Sequence, residues 1–383
     1  MILFNISSLL ASVSTLNFIE EFKKMFIQRK NFMRNLERVR VSEGRDLVNG
    51  LRLDRNEKVD VWPKGMLGKI FEDKADCFLS VYPESSGVYE RLAKFHGVSE
   101  DEIILCSGID GGLKTLYEIM TEPGDLIGVA APTYAMYQVY ARIFQLQLEE
   151  VLYTKDLQFG FEQFDAFLEK RPTMFFLPNP NQPIESCFDL AQLEEFAKKT
   201  LEKNCLFIID EAYHMFGSVS GVDLIKKYEN VVVARTFSKG FGVPSIRLGY
   251  LLSNASNIKM LTTTRMAHES NSLSNAVAEY LLDNYSMVEK YNSDVVDARN
   301  EIKMTLASLG INSHGQNGNY LLLDLGSAVR SQEYAKFMLD QKIYIKGPWK
   351  GDYAQYVTIT IGPMRLMERF LKATREFLDN KVI

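Results

Sequence analysis

No Cys-x-x-Cys pair occurs in this sequence, and its four cysteines (Cys77, Cys106, Cys187, Cys205) are scattered, with no cluster of histidines beside them. This excludes a zinc site or a disulfide framework and leaves reduced, partly buried thiols, as expected of a cytoplasmic protein. Basic charge is not in excess. The net charge of −5 and pI near 5.6 argue against nucleic acid as the main partner, because phosphate binding needs a basic surface. A long unbroken apolar run is missing too. The opening stretch MILFNISSLLASVSTLNF is interrupted by Ser and Asn, has no basic residue before it, and is closed by Glu20, Glu21, Lys23 and Lys24. It therefore reads as neither a signal peptide nor a membrane span, which needs about 20 apolar residues. Internal repeats and low-complexity segments are also lacking.

What is present is ordinary globular composition, 46% hydrophobic and 24% charged, over 383 residues. That length predicts two packed domains rather than one core. Phe18, Phe22, Met25 and Phe26 share one helical face, so residues 1–48 read as a helical extension. Residues 49–74 follow as an arm serving the smaller domain or a subunit contact. From about residue 100, apolar runs alternate with amphipathic stretches: 102–108, 125–132, 173–180, 205–212, 231–236 and 248–253. Buried runs of this kind, separated by helices, predict an α/β fold with a mostly parallel central sheet between helices, over 75–285. After Ser272 a long helical pattern leads into short strands and a last helix, a smaller α+β domain over 286–383.

Ligands in parallel sheets bind at the carboxyl ends of the strands. Each run here ends in polar or glycine-rich sequence, and two ends carry Asp210 and Lys239. Alone they would fit a buried ion pair equally well. The glycines of 108–112 precede a helix, where backbone N–H groups meet an anion. Ser238 and Arg247 add a hydroxyl and a fixed cation, and Tyr134 adds an aromatic face. Together these are the parts needed to hold pyridoxal 5'-phosphate: a lysine for its aldehyde, a carboxylate for its ring nitrogen, donors for its oxygens and a ring against its face.

The stretches YPESSGVYERLAKFHGVSEDEIILCSGIDGGL, PTYAMY, PNPNQP, DEAYHMF, RTFSKGFGVPSIRLGY and ITIGP occur in that order. With them the sequence resembles the class I/II aminotransferases of fold type I, most closely the histidinol-phosphate aminotransferase branch, from about Gly50 onward. By that resemblance Lys239 is the Schiff-base lysine, Asp210 the partner of the pyridine nitrogen, Tyr213 the donor to the phenolic oxygen and Tyr134 the stacked ring. Gly108, Ile109 and Asp110, with Thr236, Ser238 and Arg247, hold the phosphate. Tyr82 reaches the cofactor of the neighbouring subunit, which implies a homodimer with sites at its interface.

Three departures concern the substrate. The family's NPNNPTG appears as NPNQPIE over Asn179 to Glu185, placing Gln182 where an asparagine touches the phenolic oxygen. The family arginine that grips a substrate carboxylate or phosphate is Thr358 here. Each lost charge-assisted bond costs roughly 1.5–3 kcal/mol. Lys346, Lys350, Arg365, Arg52 and Arg55 are candidate replacements. His268 stands where a tyrosine contacts substrate across the dimer. The expected activity is therefore transfer of an amino group between a small-molecule donor and acceptor. The substrate is expected to be a small amine or a phosphorylated amino compound rather than histidinol phosphate, with decarboxylation of a phosphorylated amino acid as the alternative. A regulator with a DNA-binding module would need more than Arg29, Lys30, Arg34, Arg38 and Arg40, which form no helix-turn-helix pattern.

Overall fold

The apolar runs between residues 103 and 253 become strands because almost every residue in them is buried on one sheet face or the other. The computed structural model describes residues 31–33, 44–154 and 156–379. The chain divides into two compact units, Met1–Glu43 and Gly44–Ile383. Of the first, only Asn31–Met33 is described, as one 3-10 turn. The amphipathic pattern of Phe18, Phe22, Met25 and Phe26, and the basic residues Arg29, Lys30, Arg34, Arg38 and Arg40, lie outside the described residues.

In the second unit, β1 is Leu51–Leu53, β2 Ile103–Cys106, β3 Leu126–Ala131, β4 Gln147–Leu152, β5 Met174–Pro178, β6 Leu206–Asp210, β7 Val231–Thr236 and β8 Gly249–Ser253. Seven of them form one sheet in the order β2-β8-β7-β6-β5-β3-β4. The five from β7 to β4 are parallel, and β8 runs antiparallel to both β7 and β2. Side chains alternate between faces with period two. Phe175, Leu177, Phe207 and Ile209 pack with Phe164, Phe167, Leu193 and Phe196 of helices Phe161–Leu168 and Leu190–Glu202. Met174, Phe176 and Ile208 pack on the opposite face with Leu113, Leu116 and Tyr137 of helices Gly108–Met120 and Met136–Ile143. The expected mostly parallel sheet between helices is what the chain forms.

The remaining strands are β9 (Asn312–His314), β10 (Tyr320–Asp324), β11 (Ile343–Ile345) and β12 (Tyr356–Thr360). β9, β10 and β12 make an antiparallel sheet. Leu321, Leu323, Val357 and Ile359 pack there against helices Tyr285–Ser308 and Met364–Asp379. β1 pairs in parallel with β11, Leu51 opposite Ile343. This brings the segment after β1 back over the carboxyl ends of the large sheet. Among the described residues no helix is long and apolar enough to cross a membrane.

Candidate active site

At the carboxyl ends of β5, β6 and β7 lies a cavity of ≈ 250 Å³, and Asp210 and Lys239 share it. β6 and β7 are neighbours with Asp210 opposite Ala234, so Thr236 and the turn to Lys239 lie just beyond the carboxylate. Register here is backed by a buried ion pair. Arg235 meets Glu211 at 2.6 Å, and Ser220 donates to the same carboxylate. That pair holds the next residue on each strand behind the cavity.

Asp210 is buried and accepts from Tyr137 Oη at 2.5 Å and from Ala212 N–H at 3.0 Å. Burial pushes its carboxyl up to about 6, with the two donors holding it lower than burial alone would. Lys239 Nζ donates to the backbone carbonyl of Arg55 at 2.8 Å. Burial lowers this amine to about 8. Tyr213 Oη accepts from Asn56 Nδ2 at 2.9 Å, which leaves the phenol's own proton free to donate into the cavity. Asn56 is left-handed (φ 53°) and is fixed by Thr360 of β12, whose Oγ1 accepts from the Asn56 N–H at 2.9 Å and donates to Oδ1 at 3.1 Å. The segment 54–57 thereby becomes a wall of the cavity.

The opposite wall is the start of helix Gly108–Met120. Ser107 precedes it with no side-chain cap, and Ile109 and Asp110 line the cavity. Gly108 has φ 66°, and a Cβ there would lie 2.7 Å from Arg247 Nη2. Gly249 lets β8 pass close beneath, since a Cβ would fall 2.9 Å from the Ile109 nitrogen. Asp110 accepts from Tyr134 Oη at 2.9 Å and faces Arg247 at 3.6 Å. Thr236 and Ser238 also line the cavity, the Thr236 hydroxyl accepting from the Ser238 N–H at 3.1 Å. Gln182 is buried in the wall, and its Nε2 has no hydrogen-bond partner among the described residues. An unpartnered buried donor, an uncapped helix start and a cation on one cavity fit a phosphate-bearing, oxygen-rich ligand such as pyridoxal phosphate.

Not every residue singled out from the sequence is in this cavity. Thr358 is buried, with its hydroxyl accepting from Trp349 Nε1 at 2.9 Å. That indole is what the Thr358 side chain meets beside β12. Lys346 lies 4.7 Å over the same Trp349 ring. Tyr82 stacks on His268 with centroids 4.4 Å apart and planes at 3°, outside the cavity of its own chain. Arg365 pairs with Asp60, and Arg52 with Glu57 at 3.2 Å. Of the candidate replacement cations, Arg55 is the one that lines the cavity.

Sequence reasoning missed Tyr137, Asn56 and Glu57. Tyr137 could have been found, because it follows Tyr134 by three residues in PTYAMY and so returns to the same side of a helical turn. Asn56 and Glu57 precede any apolar run long enough to mark them. Glu57 lines the cavity. Burial raises its carboxyl, but bonds from Arg45 and the charge of Arg52 more than offset this and hold it below the usual carboxylate range.

The family model for aminotransferases of class I and II matches residues 65–373. Histidinol-phosphate aminotransferase 1 of Carboxydothermus hydrogenoformans is 29% identical over 331 residues, covering 86% of this chain and 93% of that protein. The histidinol-phosphate aminotransferase of Sinorhizobium meliloti, solved in complex with pyridoxal-5'-phosphate, superposes with a TM-score of 0.82 at 21% identity, over 94% of this chain and 99% of that one. The L-threonine-O-3-phosphate decarboxylase of Porphyromonas gingivalis shares the fold with a TM-score of 0.69 at 21% identity, over 86% and 99% of the two chains. This chain belongs to the class I and II aminotransferases, pyridoxal-phosphate-dependent enzymes of fold type I.

Proposed function

We propose that this aminotransferase acts on a small amine or a phosphorylated amino compound, not on histidinol phosphate, with Lys239 as its reacting amine. The observation that carries this reading is the sharing of one cavity by Lys239 and Asp210, an amine lowered by burial and a carboxylate raised by it. When bound, pyridoxal phosphate supplies an aldehyde that bonds amines and a ring that draws electrons from the amino-bearing carbon. The N–H groups of Ile109 and Asp110, the hydroxyls of Thr236 and Ser238, and Arg247 would hold its phosphate. Asp210, oriented by Tyr137 and Ala212, would supply the negative charge for its ring nitrogen. Tyr213 and Gln182 would donate to its ring oxygen, and Tyr134 would offer it an aromatic face.

Lys239 Nζ takes the proton from the substrate carbon that bears the amino group. A pKa near 8 leaves more of the amine neutral at physiological pH than an ordinary lysine would have. The Arg55 carbonyl keeps it pointed across the cavity. Histidinol phosphate is disfavoured because an anion held at the family arginine's place on β12 would meet the Thr358 hydroxyl and the Trp349 indole rather than a guanidinium. Tyr82, 76% exposed, and His268 serve the site of a second copy, so the working form is a homodimer. The four free thiols suit a reducing compartment, the cytoplasm.

An absorbance screen of the purified holoenzyme against small amines and their phosphorylated counterparts tests this. Conversion of the bound cofactor to its amine form, with a keto or aldehyde product, is expected. Release of carbon dioxide from a phosphorylated amino acid without that conversion would overturn transamination.

A further inference from the structure

We infer that Arg55 is the anion anchor of the substrate subsite, taking over the task left open at Thr358. The inference rests on the aminotransferase reading above and concerns which substrates that site selects. Arg55 precedes the stretch matched by the family model, residues 65–373, so it is read from this chain's own geometry.

The segment around Arg55 gathers three guanidinium groups, Arg45, Arg52 and Arg55, against two carboxylates, Asp54 and Glu57. Glu57 is saturated: it accepts from Arg45 at 3.1 and 3.2 Å and from Arg52 at 3.2 Å. Arg45 also holds Asp54 at 3.0 Å. One cation is left in excess, and it is Arg55. Its guanidinium makes no hydrogen bond among the described residues; it faces Asp54 at 3.6 Å, and its charge adds to those that lower the Glu57 carboxyl. The same residue's carbonyl holds Lys239 Nζ at 2.8 Å, so cation and reacting amine sit on one short piece of wall. Left-handed Asn56, bonded to Thr360 and Tyr213, keeps that piece from swinging away. None of the other candidates lines the cavity: Lys346 lies over Trp349, Arg365 pairs with Asp60, Arg52 with Glu57, and Lys350 is exposed.

A planar fork with unspent N–H groups, on the cavity-lining residue whose carbonyl holds the reacting amine, recognises an oxyanion, either carboxylate or phosphate, a few bonds from the substrate's amino group. Calorimetry of the holoenzyme with ethyl phosphate, propionate and propanol reads this without turnover. The two anions should bind and propanol should not. Arg55→Gln should weaken the better anion about 10- to 100-fold. Arg55→Lys, which keeps charge but loses the fork, should fall between. Whichever anion loses more names the natural group. In parallel, the KM of O-phosphoethanolamine or β-alanine relative to propylamine should rise in Arg55→Gln. Equal anion binding by wild type and Arg55→Gln, or loss on Lys346→Met instead, would overturn the assignment. If no amine converts the cofactor in the wild type while anion binding still depends on Arg55, it is the aminotransferase reading that fails.

Discussion

The Tyr137 hydroxyl donates to the Asp210 carboxylate at 2.5 Å, and both groups are buried beneath the cavity. A bond to a charged group contributes roughly 1.5–3 kcal/mol, equivalent to one or two pKa units. Tyr137→Phe keeps the ring packed on Phe176 and removes only the donor. Asp210 should then titrate one to two units higher, near or above neutral. Cofactor affinity at pH 7 should fall, and the acid limb of its pH dependence should move upward by the same amount. Titration of the apoprotein with pyridoxal phosphate between pH 5 and 9 measures this. A uniform loss at every pH would mean that Tyr137 is merely structural.

Asp210 also links pH to stability. Its folded-state pKa is raised, to about 6 from 3.8, so the folded chain keeps a proton that the unfolded chain releases. The contribution is full below about pH 4 and is lost as pH rises through 6, about 3 kcal/mol in all. Asp210→Asn, which mimics the protonated acid, escapes the loss. The apo variant should match wild type near pH 4 and exceed it by about 2–3 kcal/mol at pH 7 in urea unfolding. The cofactor's ring nitrogen should bind it more weakly.

Lys239 should show the opposite titration. Burial lowers its amine to about 8, and Lys58, buried between Trp62 and Tyr291, is lowered to about 8 as well. In apoprotein treated with a limiting acylating reagent at pH 8, Lys239 should be modified ahead of the ordinary surface lysines. Pyridoxal phosphate should protect Lys239 and leave Lys58 unchanged, read by mass spectrometry of peptides. Equal protection of both would mean that the cofactor acts through a global change.

The rule that ligands meet the carboxyl ends of parallel strands was enough to locate Asp210, Thr236 and Lys239 from sequence, because β6 and β7 are long apolar runs. β4 escaped notice since it is an edge strand, reading Gln-Leu-Glu-Glu-Val-Leu, with polar groups where inner strands carry apolar ones. β1 is three residues long and finds its partner, β11, almost the whole chain away, so nothing local marks the wall that Arg55 and Asn56 build. The missing arginine at Thr358 was legible. What fills its place was not, because Trp349 reaches Thr358 only where the chain folds back after β11 and bridges Lys346 to Thr358, which no motif marks.

Glu185 stands where the family motif has glycine, and the structure gives it a task. Its carboxylate accepts from the backbone N–H groups of Gln316 and Asn317, both at 2.8 Å, and of Gly318 at 3.2 Å. It ties the loop that carries Gln182 to the turn before β10. Tyr320 donates to the Asn181 carbonyl alongside it. Glu185→Ala should lower stability by about 2 kcal/mol, and Glu185→Gln by about half that, in denaturant unfolding. Both should weaken cofactor binding modestly through Gln182. A Glu185→Ala protein with wild-type stability would show that the turn is held by other contacts.

Tyr82 and His268 form a stack outside the cavity that Lys239 and Asp210 share. If they complete the partner's site, defects in Lys239 and Tyr82 fall on different sites of a hybrid dimer. A chain with Lys239→Ala keeps Tyr82, and a chain with Tyr82→Ala keeps Lys239. Their hybrid then holds one site with both residues and one with neither. Random reassociation makes about half the dimers hybrid, so about a quarter of all sites should be intact. Mixing the two inactive or weak variants under conditions that exchange subunits should restore about that fraction of wild-type turnover. Residues acting within one chain would give no recovery, because every site would keep one defect.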